Sequence, residues 1–364
     1  MLRRSEVACG RMALGFLAVS LTACGGAPSQ PSSLAAPSQT LPTVTVLRVS
    51  KSGEGTGSVT SSPAGITCGD TCAATYFGAP EVTLTATPAS ESTFDGFGGD
   101  PDCADGRVTL GVDVSCTARF EPIPPMLSVT GFMAFGDSMT FGTVAVPVAT
   151  TFRLVGTPES FPTVLQAMLG ARYTAQTIDM DNQGKPGERL ADAGPRLSLA
   201  LASRPPVVFL MEGANDLDVF GGMGPAVEAA GIDAMATRMD GLVSQARASG
   251  ATVFLATLPP QRPSSTKARS ETAPLVPIFN DRVRAIAASR QATLVDVFAG
   301  IDLSHIGIDG LHPTEQGYRL IAELFYAPIA AAFELPPQPT TATPAPTIGD
   351  ARRLVPVAFS RDGR

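Results

Sequence analysis

Between residues 126 and 336, five short apolar runs at 128–135, 177–181, 207–211, 252–258 and 292–297 alternate with stretches of helical length. Those stretches lie at 158–169, 188–202, 225–249 and 274–289, and a last one follows at 314–333. Short runs rich in Val, Ile, Thr and Phe predict strands, and the intervening stretches are long enough for crossover helices. Parallel neighbours need such crossovers, and each helix must bury its apolar stripe on the sheet, so the sheet is covered on both faces. The expected fold class is α/β, with a five-stranded parallel sheet. Ligands of such sheets bind beyond the carboxyl ends of the strands, so the loops after the strands are where chemistry is sought, and the site residues are expected in those loops.

A chain of 364 residues exceeds one ordinary domain, and its flanks differ in character. Residues 1–23 read as an export signal: Arg3, Arg4 and Arg11 lead into an apolar run at 12–21 that is too short to span a bilayer. The sequence Leu21-Thr-Ala-Cys24 resembles the bacterial lipoprotein signal, which implies a lipidated Cys24 and a membrane held by acyl chains. Gly25 rather than Asp at the next position points to an outer-membrane protein of the cell envelope. Ordinary cleavage near Ala23 would instead give a secreted or periplasmic chain. Residues 24–43, mostly Ser, Pro, Ala and Gly, form a flexible linker, and 337–364 a low-complexity, disordered tail.

Residues 44–121 alternate apolar and polar positions between Gly, Ser, Pro and Asp turns, and predict a small all-β domain. Cys68, Cys72, Cys103 and Cys116 lie here. In an exported protein such an even set predicts disulfides, with three connectivities open and sequence proximity favouring Cys68 with Cys72 and Cys103 with Cys116. The oxidising compartment and the lack of a C-x-x-C pair argue against a four-Cys zinc site. The Gly-rich opening Gly53-Glu-Gly-Thr-Gly-Ser-Val59, the Cys pair and Phe94-Asp-Gly-Phe-Gly-Gly99 resemble a bacterial extracellular β-repeat module, with Phe97 where Trp is usual. That resemblance implies a spacer or adhesive unit.

Acidic residues outnumber basic ones, 33 to 26, and Lys51, Lys185 and Lys267 are the only lysines. No basic stripe exists for a phosphate backbone, which excludes nucleic acid as a partner. No protein partner can be inferred. His305 and His312 are the two histidines, so general-base chemistry has few places to come from.

The first strand leads into Gly136-Asp-Ser-Met-Thr140, the second into Asn182-Gln-Gly-Lys-Pro-Gly187, the third into Gly213-Ala-Asn-Asp216, and the fifth precedes Asp309-Gly-Leu-His312. A serine hydroxyl becomes nucleophilic when a base takes its proton, and a carboxylate holds that base in the right tautomer. Ser138, His312 and Asp309 supply those parts. A tetrahedral intermediate needs donors aimed at its oxyanion, and Gly187 and Asn215 suit that need.

With these blocks the chain resembles the GDSL/SGNH hydrolases, whose Ser, Gly, Asn and His follow in that order. The first block reads Phe135-Gly-Asp-Ser-Met-Thr-Phe-Gly142, with Met139 replacing Leu, and the last reads Asp309-Gly-Leu-His-Pro-Thr314. The resemblance implies a flavodoxin-like α/β/α domain over 126–336 and a serine esterase or lipase working through an acyl-enzyme. It further implies an oxyanion hole of the Ser138 and Gly187 amides with the Asn215 side chain, a small-molecule or lipid ester as substrate, and no metal or organic cofactor.

Each block alone is weak: a serine after a strand often caps a helix, and Gly, Asn and Asp populate turns. Asp302-Leu-Ser-His305 even repeats the Asp-x-x-His spacing, and His312 is preferred because Pro313 follows it at a helix start. Order and placement after successive strands carry the assignment. An α/β-hydrolase elbow would need Gly where Thr140 stands. The reading from another class is a non-catalytic envelope binding or adhesion protein that uses its β module. Between residues 142 and 159, Val144, Val146, Val148, Phe152 and Leu154 are expected to wall the pocket and to favour an acyl or aryl ester over a sugar acetate.

Overall fold

The computed structural model describes residues 43–69, 71–263 and 269–337. The signal, Cys24, the linker and the tail beyond residue 337 lie outside the described residues.

The first part is all β. Its strands are β1 (Val44–Ser52), β2 (Gly57–Ser62), β3 (Thr67–Cys68), β4 (Ala73–Phe77), β5 (Glu81–Pro88), β6 (Ser92–Gly99), β7 (Arg107–Thr109) and β8 (Val114–Pro122). They form two four-stranded sheets, ordered β4-β1-β8-β6 and β3-β2-β5-β7. Alternate residues such as Leu47, Val49, Val82 and Leu84 turn inward onto one buried cluster with Phe120, the period of a half-buried strand. Disulfides join Cys68 to Cys72 and Cys103 to Cys116, the pairs that sequence proximity favours.

The second part runs β9 (Gly131–Gly136), α1 (Ser138–Phe141), β10 (Thr143–Val148), β11 (Thr151–Gly156), α2 (Phe161–Arg172), β12 (Asp179–Gly184), α3 (Leu190–Ala200) and β13 (Val207–Met211). It continues through α4 (Ala214–Phe220), α5 (Pro225–Ala248), β14 (Thr252–Ala256), α6 (Leu275–Arg290), β15 (Thr293–Val295), α7 (Val297–Gly300) and α8 (Glu315–Phe333). The sheet has the order β12-β9-β13-β14-β15, with every pairing parallel, as the alternating pattern predicts. Phe132 and Phe209 face α2 and α8, where Phe161 stacks on Phe325 at 5.1 Å and Phe325 meets Phe209 at 4.8 Å. Phe135 faces the other way, under Arg196 of α3. The core of this part, from Leu127 to Ile329, shares no residue with the β cluster.

Three expectations need correction. The second strand is displaced: it covers Asp179–Gly184 rather than 177–181, so Asn182 lies within it. It is an edge strand with polar, exposed residues, so apolar patterning marks it poorly. Ser138 and Asn215 are not loop residues but open helices α1 and α4, of four and seven residues, too short to show a helical period. Finally, 143–156 is a hairpin of β10 and β11, for which no strands were expected.

Candidate active site

Gly136 ends β9 and Gly184 ends β12, side by side in register. A Cβ on Gly136 would strike the Met211 carbonyl and the Thr140 hydroxyl, and one on Gly184 the backbone of Phe141. Both positions therefore need glycine so that the first turn of α1 can press against the sheet. Asp137 caps that turn by accepting from the Met139 amide at 2.9 Å. Ser138 is thereby fixed at the carboxyl end of β9, nearly buried at 4% exposure.

The partner comes from the far end of the domain. His312 directs Nε2 to Ser138 Oγ at 2.8 Å and Nδ1 to Asp309 Oδ2 at 2.5 Å. Asp309 Oδ1 accepts from the amides of Leu311 and His312, both at 3.2 Å, so the carboxylate is held by the turn that carries the histidine. Burial pushes the Asp309 carboxyl up, but the His312 hydrogen bond and charge, with those two amides, outweigh burial and hold it below the usual carboxylate range.

The other Asp-x-x-His pair folds differently. His305 ends a 3-10 turn, Leu303–His305, and its ring faces Asp302, whose side chain is 73% exposed. It is absent from the cleft lining.

The cleft over Ser138 has a volume of about 320 Å³. Gly187, at φ +78°, and Asn215 line it beside Ser138 and His312. Asn215 donates from Nδ2 to the Glu188 carbonyl at 2.8 Å, and Asp216 accepts from the Leu190 amide at 2.9 Å, so the third block is tied to the second. Phe141, Phe152, Leu154 and Val155 supply an apolar wall, while Arg269, paired with Asp218 at 2.5 Å, supplies a charged one. Of the five apolar residues expected to wall the pocket, Phe152 and Leu154 do so. Val144 packs on the main core instead, and Val146 and Val148 stay outside the lining. Val144, Val146 and Val148 lie on β10 opposite Val155, Arg153 and Thr151, so they share the face of the hairpin opposite to that of Phe152 and Leu154. The hairpin is fastened at its base, where Tyr318 Oη donates to Thr143 O at 2.6 Å and Thr157 Oγ1 to Glu315 at 2.7 Å.

Around Ser138 lies a set of acids whose coupling sequence reading missed. Burial pushes Asp137 up to about 6, against the Met139 amide, the His312 charge and the Ala214 amide, with the charge of Asp216 adding to burial. Glu212 is fully buried, and neither carboxyl oxygen has a partner. Burial, then the charges of Asp137, Glu188 and Asp216, raise it well above the ordinary glutamate value, with Arg196 opposing. A raised folded-state value stabilises fully below the unfolded value of about 4.3, and that contribution is lost as pH rises through the folded value. Glu212→Gln keeps the shape and cannot ionise. Its melting temperature is therefore expected to fall less between pH 5 and pH 9 than that of the parent protein, at roughly 2–4 °C for each kcal/mol. Parallel melting curves would refute a raised Glu212.

Among the described residues, no group of three or more His, Cys, Asp or Glu side chains is placed to hold a metal, and no helix is long and apolar enough to cross a membrane.

Residues 134–320, just over half of the chain, match the GDSL-like Lipase/Acylhydrolase family, and the chain belongs to that family. Membership supports ester hydrolysis, with small-molecule esters as the substrate class. No match was found among curated proteins. Among solved structures the chain is similar to a lipase/acylhydrolase from Enterococcus faecalis, at 20% identity and a TM-score of 0.44, over 58% of this chain and 100% of that one. It is similar also to a carbohydrate acetylesterase from Sinorhizobium meliloti, at 20% identity and a TM-score of 0.46, over 56% and 99%. A third likeness is to the M. smegmatis aryl esterase, at 19% identity and a TM-score of 0.47, over 56% and 99%.

Proposed function

We propose that the protein is an exported serine esterase whose triad is Ser138, His312 and Asp309. The observation that carries this reading is the unbroken chain from Ser138 Oγ through both ring nitrogens of His312 to Asp309. The strand order β12-β9-β13-β14-β15 supports reading the domain as a flavodoxin-like α/β/α sandwich. In the first half-reaction the Ser138 hydroxyl proton passes to His312 Nε2 as Oγ attacks the ester carbonyl carbon. The amides of Ser138 and Gly187 and the Asn215 side chain receive the oxyanion, the leaving alkoxide takes the proton from His312, and an acyl-serine remains. Water then repeats the steps, releasing the carboxylic acid and restoring the serine.

A cleft of about 320 Å³ with one apolar wall favours short or medium acyl or aryl esters. Across p-nitrophenyl esters of graded length, kcat/KM is expected to peak at short or medium chains and fall at palmitoyl. A maximum at palmitoyl would require a longer groove than this one. The signal and Cys24 support export and lipid anchoring in the envelope. Cys24→Ser is then expected to move the protein from the membrane fraction to the soluble one, and unchanged fractionation would remove the anchor.

A further inference from the structure

We infer that Arg196 is a positioning residue of the oxyanion hole, holding in one guanidinium the two segments that carry Ser138 and Gly187 and, through the Glu188 carbonyl, the Asn215 side chain. This rests on the esterase reading above. Arg196 lies on α3, outside the cleft lining, yet its donors converge on the loops that form the cleft. Nε donates to both carboxylate oxygens of Glu188, at 2.8 and 2.7 Å, and Nη2 also donates to that carboxylate. Nη1 reaches the Gln183 carbonyl at 2.7 Å, and Nη2 the Gly136 carbonyl at 3.1 Å. The guanidinium lies 3.7 Å from the centre of the Phe135 ring.

Two of the three acceptors lie close to a working group. Gly136 is two residues before Ser138, and its carbonyl also takes the Lys185 amide at 2.9 Å. Glu188 follows Gly187 directly, and its side chain is wholly buried. The Glu188 carbonyl receives one hydrogen of the Asn215 amide, which sets the direction of the other. The run between β12 and α3 has no ladder to fix it; the Lys185 amide on Gly136 and the Lys185 ammonium on Glu188 at 3.3 Å hold its exposed side, and the fork of Arg196 holds its buried side. A planar guanidinium can hold a carboxylate and two carbonyls at once, which a lysine ammonium on a flexible stem cannot. The i to i+8 spacing of Glu188 and Arg196 matches no short motif, which is why the sequence alone does not reveal the pair.

Loss of the fork is expected to loosen the oxyanion donors while leaving the acyl wall and the Ser138–His312 pair in place. With p-nitrophenyl butyrate, Arg196→Gln should lower kcat at least about tenfold with KM within about twofold, since oxyanion donors act mainly in the transition state. Arg196→Lys should fall between the variant and the parent. An alkyl boronic acid, which forms a tetrahedral adduct on the serine, should lose affinity in proportion to kcat/KM, as it should in Asn215→Ala. Should Arg196→Gln fail to fold by circular dichroism, Glu188→Gln carries the same test from the other side of the pair. A kcat within twofold of the parent, a loss confined to KM, or unchanged boronic acid affinity would overturn the role of Arg196. Turnover retained in Ser138→Ala would overturn the esterase reading itself, and the two failures are separate measurements.

Discussion

Replacing Ser138 by alanine is expected to lower kcat by roughly a millionfold, the scale on which a serine hydrolase loses its nucleophile, with the residue coming from binding and oxyanion stabilisation. The substitution removes one oxygen from a residue that is 4% exposed. The hydroxyl contacts His312 Nε2, which lines the cleft and can turn to water, so stability should change by no more than about 1 kcal/mol. The decisive measurement pairs turnover with titration by a serine-directed phosphonate. Parent protein should be labelled once per chain at Ser138 and the variant not at all. Turnover surviving in a variant free of label would remove the nucleophile assignment.

The second large effect separates the two histidines. His312→Ala should cost about 10⁴–10⁶ in kcat, because it removes the base that accepts the Ser138 proton. Asp309→Asn should cost up to about 10⁴, since an amide neither fixes the imidazole tautomer nor stabilises the imidazolium. His305→Ala and Asp302→Asn should each stay within about twofold, because Asp302 is exposed and neither residue lines the cleft. Sensitivity of His305 and Asp302 with tolerance at His312 would leave a hydrolase with a different base. The Asp309 value is depressed, so its contribution to stability is present above the unfolded value of about 3.9 and is lost as pH falls through the folded one. The parent protein should accordingly be more acid-sensitive in melting than Asp309→Asn.

What the sequence shows, it shows through local chemistry and period. Asp309 and His312 are three residues apart, so their contact is written in the chain. The approach of Ser138 to His312, across 174 residues, follows only once the strands are placed and their carboxyl ends brought to one edge. The hairpin escapes because its turn uses Ala149 at φ +50°, where Gly, Asn or Asp would have signalled a reversal. β12 escapes in part because an edge strand has no need of a continuous apolar run. Glu212 reads as one more polar residue before a glycine. Its burial beside Asp137, Glu188, Asp216 and Arg196 depends on segments distant in the chain coming together, which is a tertiary fact. The disulfides were legible as a set, while their pairing rested on proximity along the chain.

The arrangement of the proposed triad also divides its assembly along the chain. Base and carboxylate share one turn, so they can find each other as soon as that turn forms, whereas the nucleophile must wait for the first strand and the last helix of the domain to dock. Contacts of such sequence separation close late because loop entropy is lost before they form. On refolding, recovery of esterase activity therefore reports completion of the whole sheet, and a turn that moves as a unit could switch the nucleophile off without disturbing the orientation of its base.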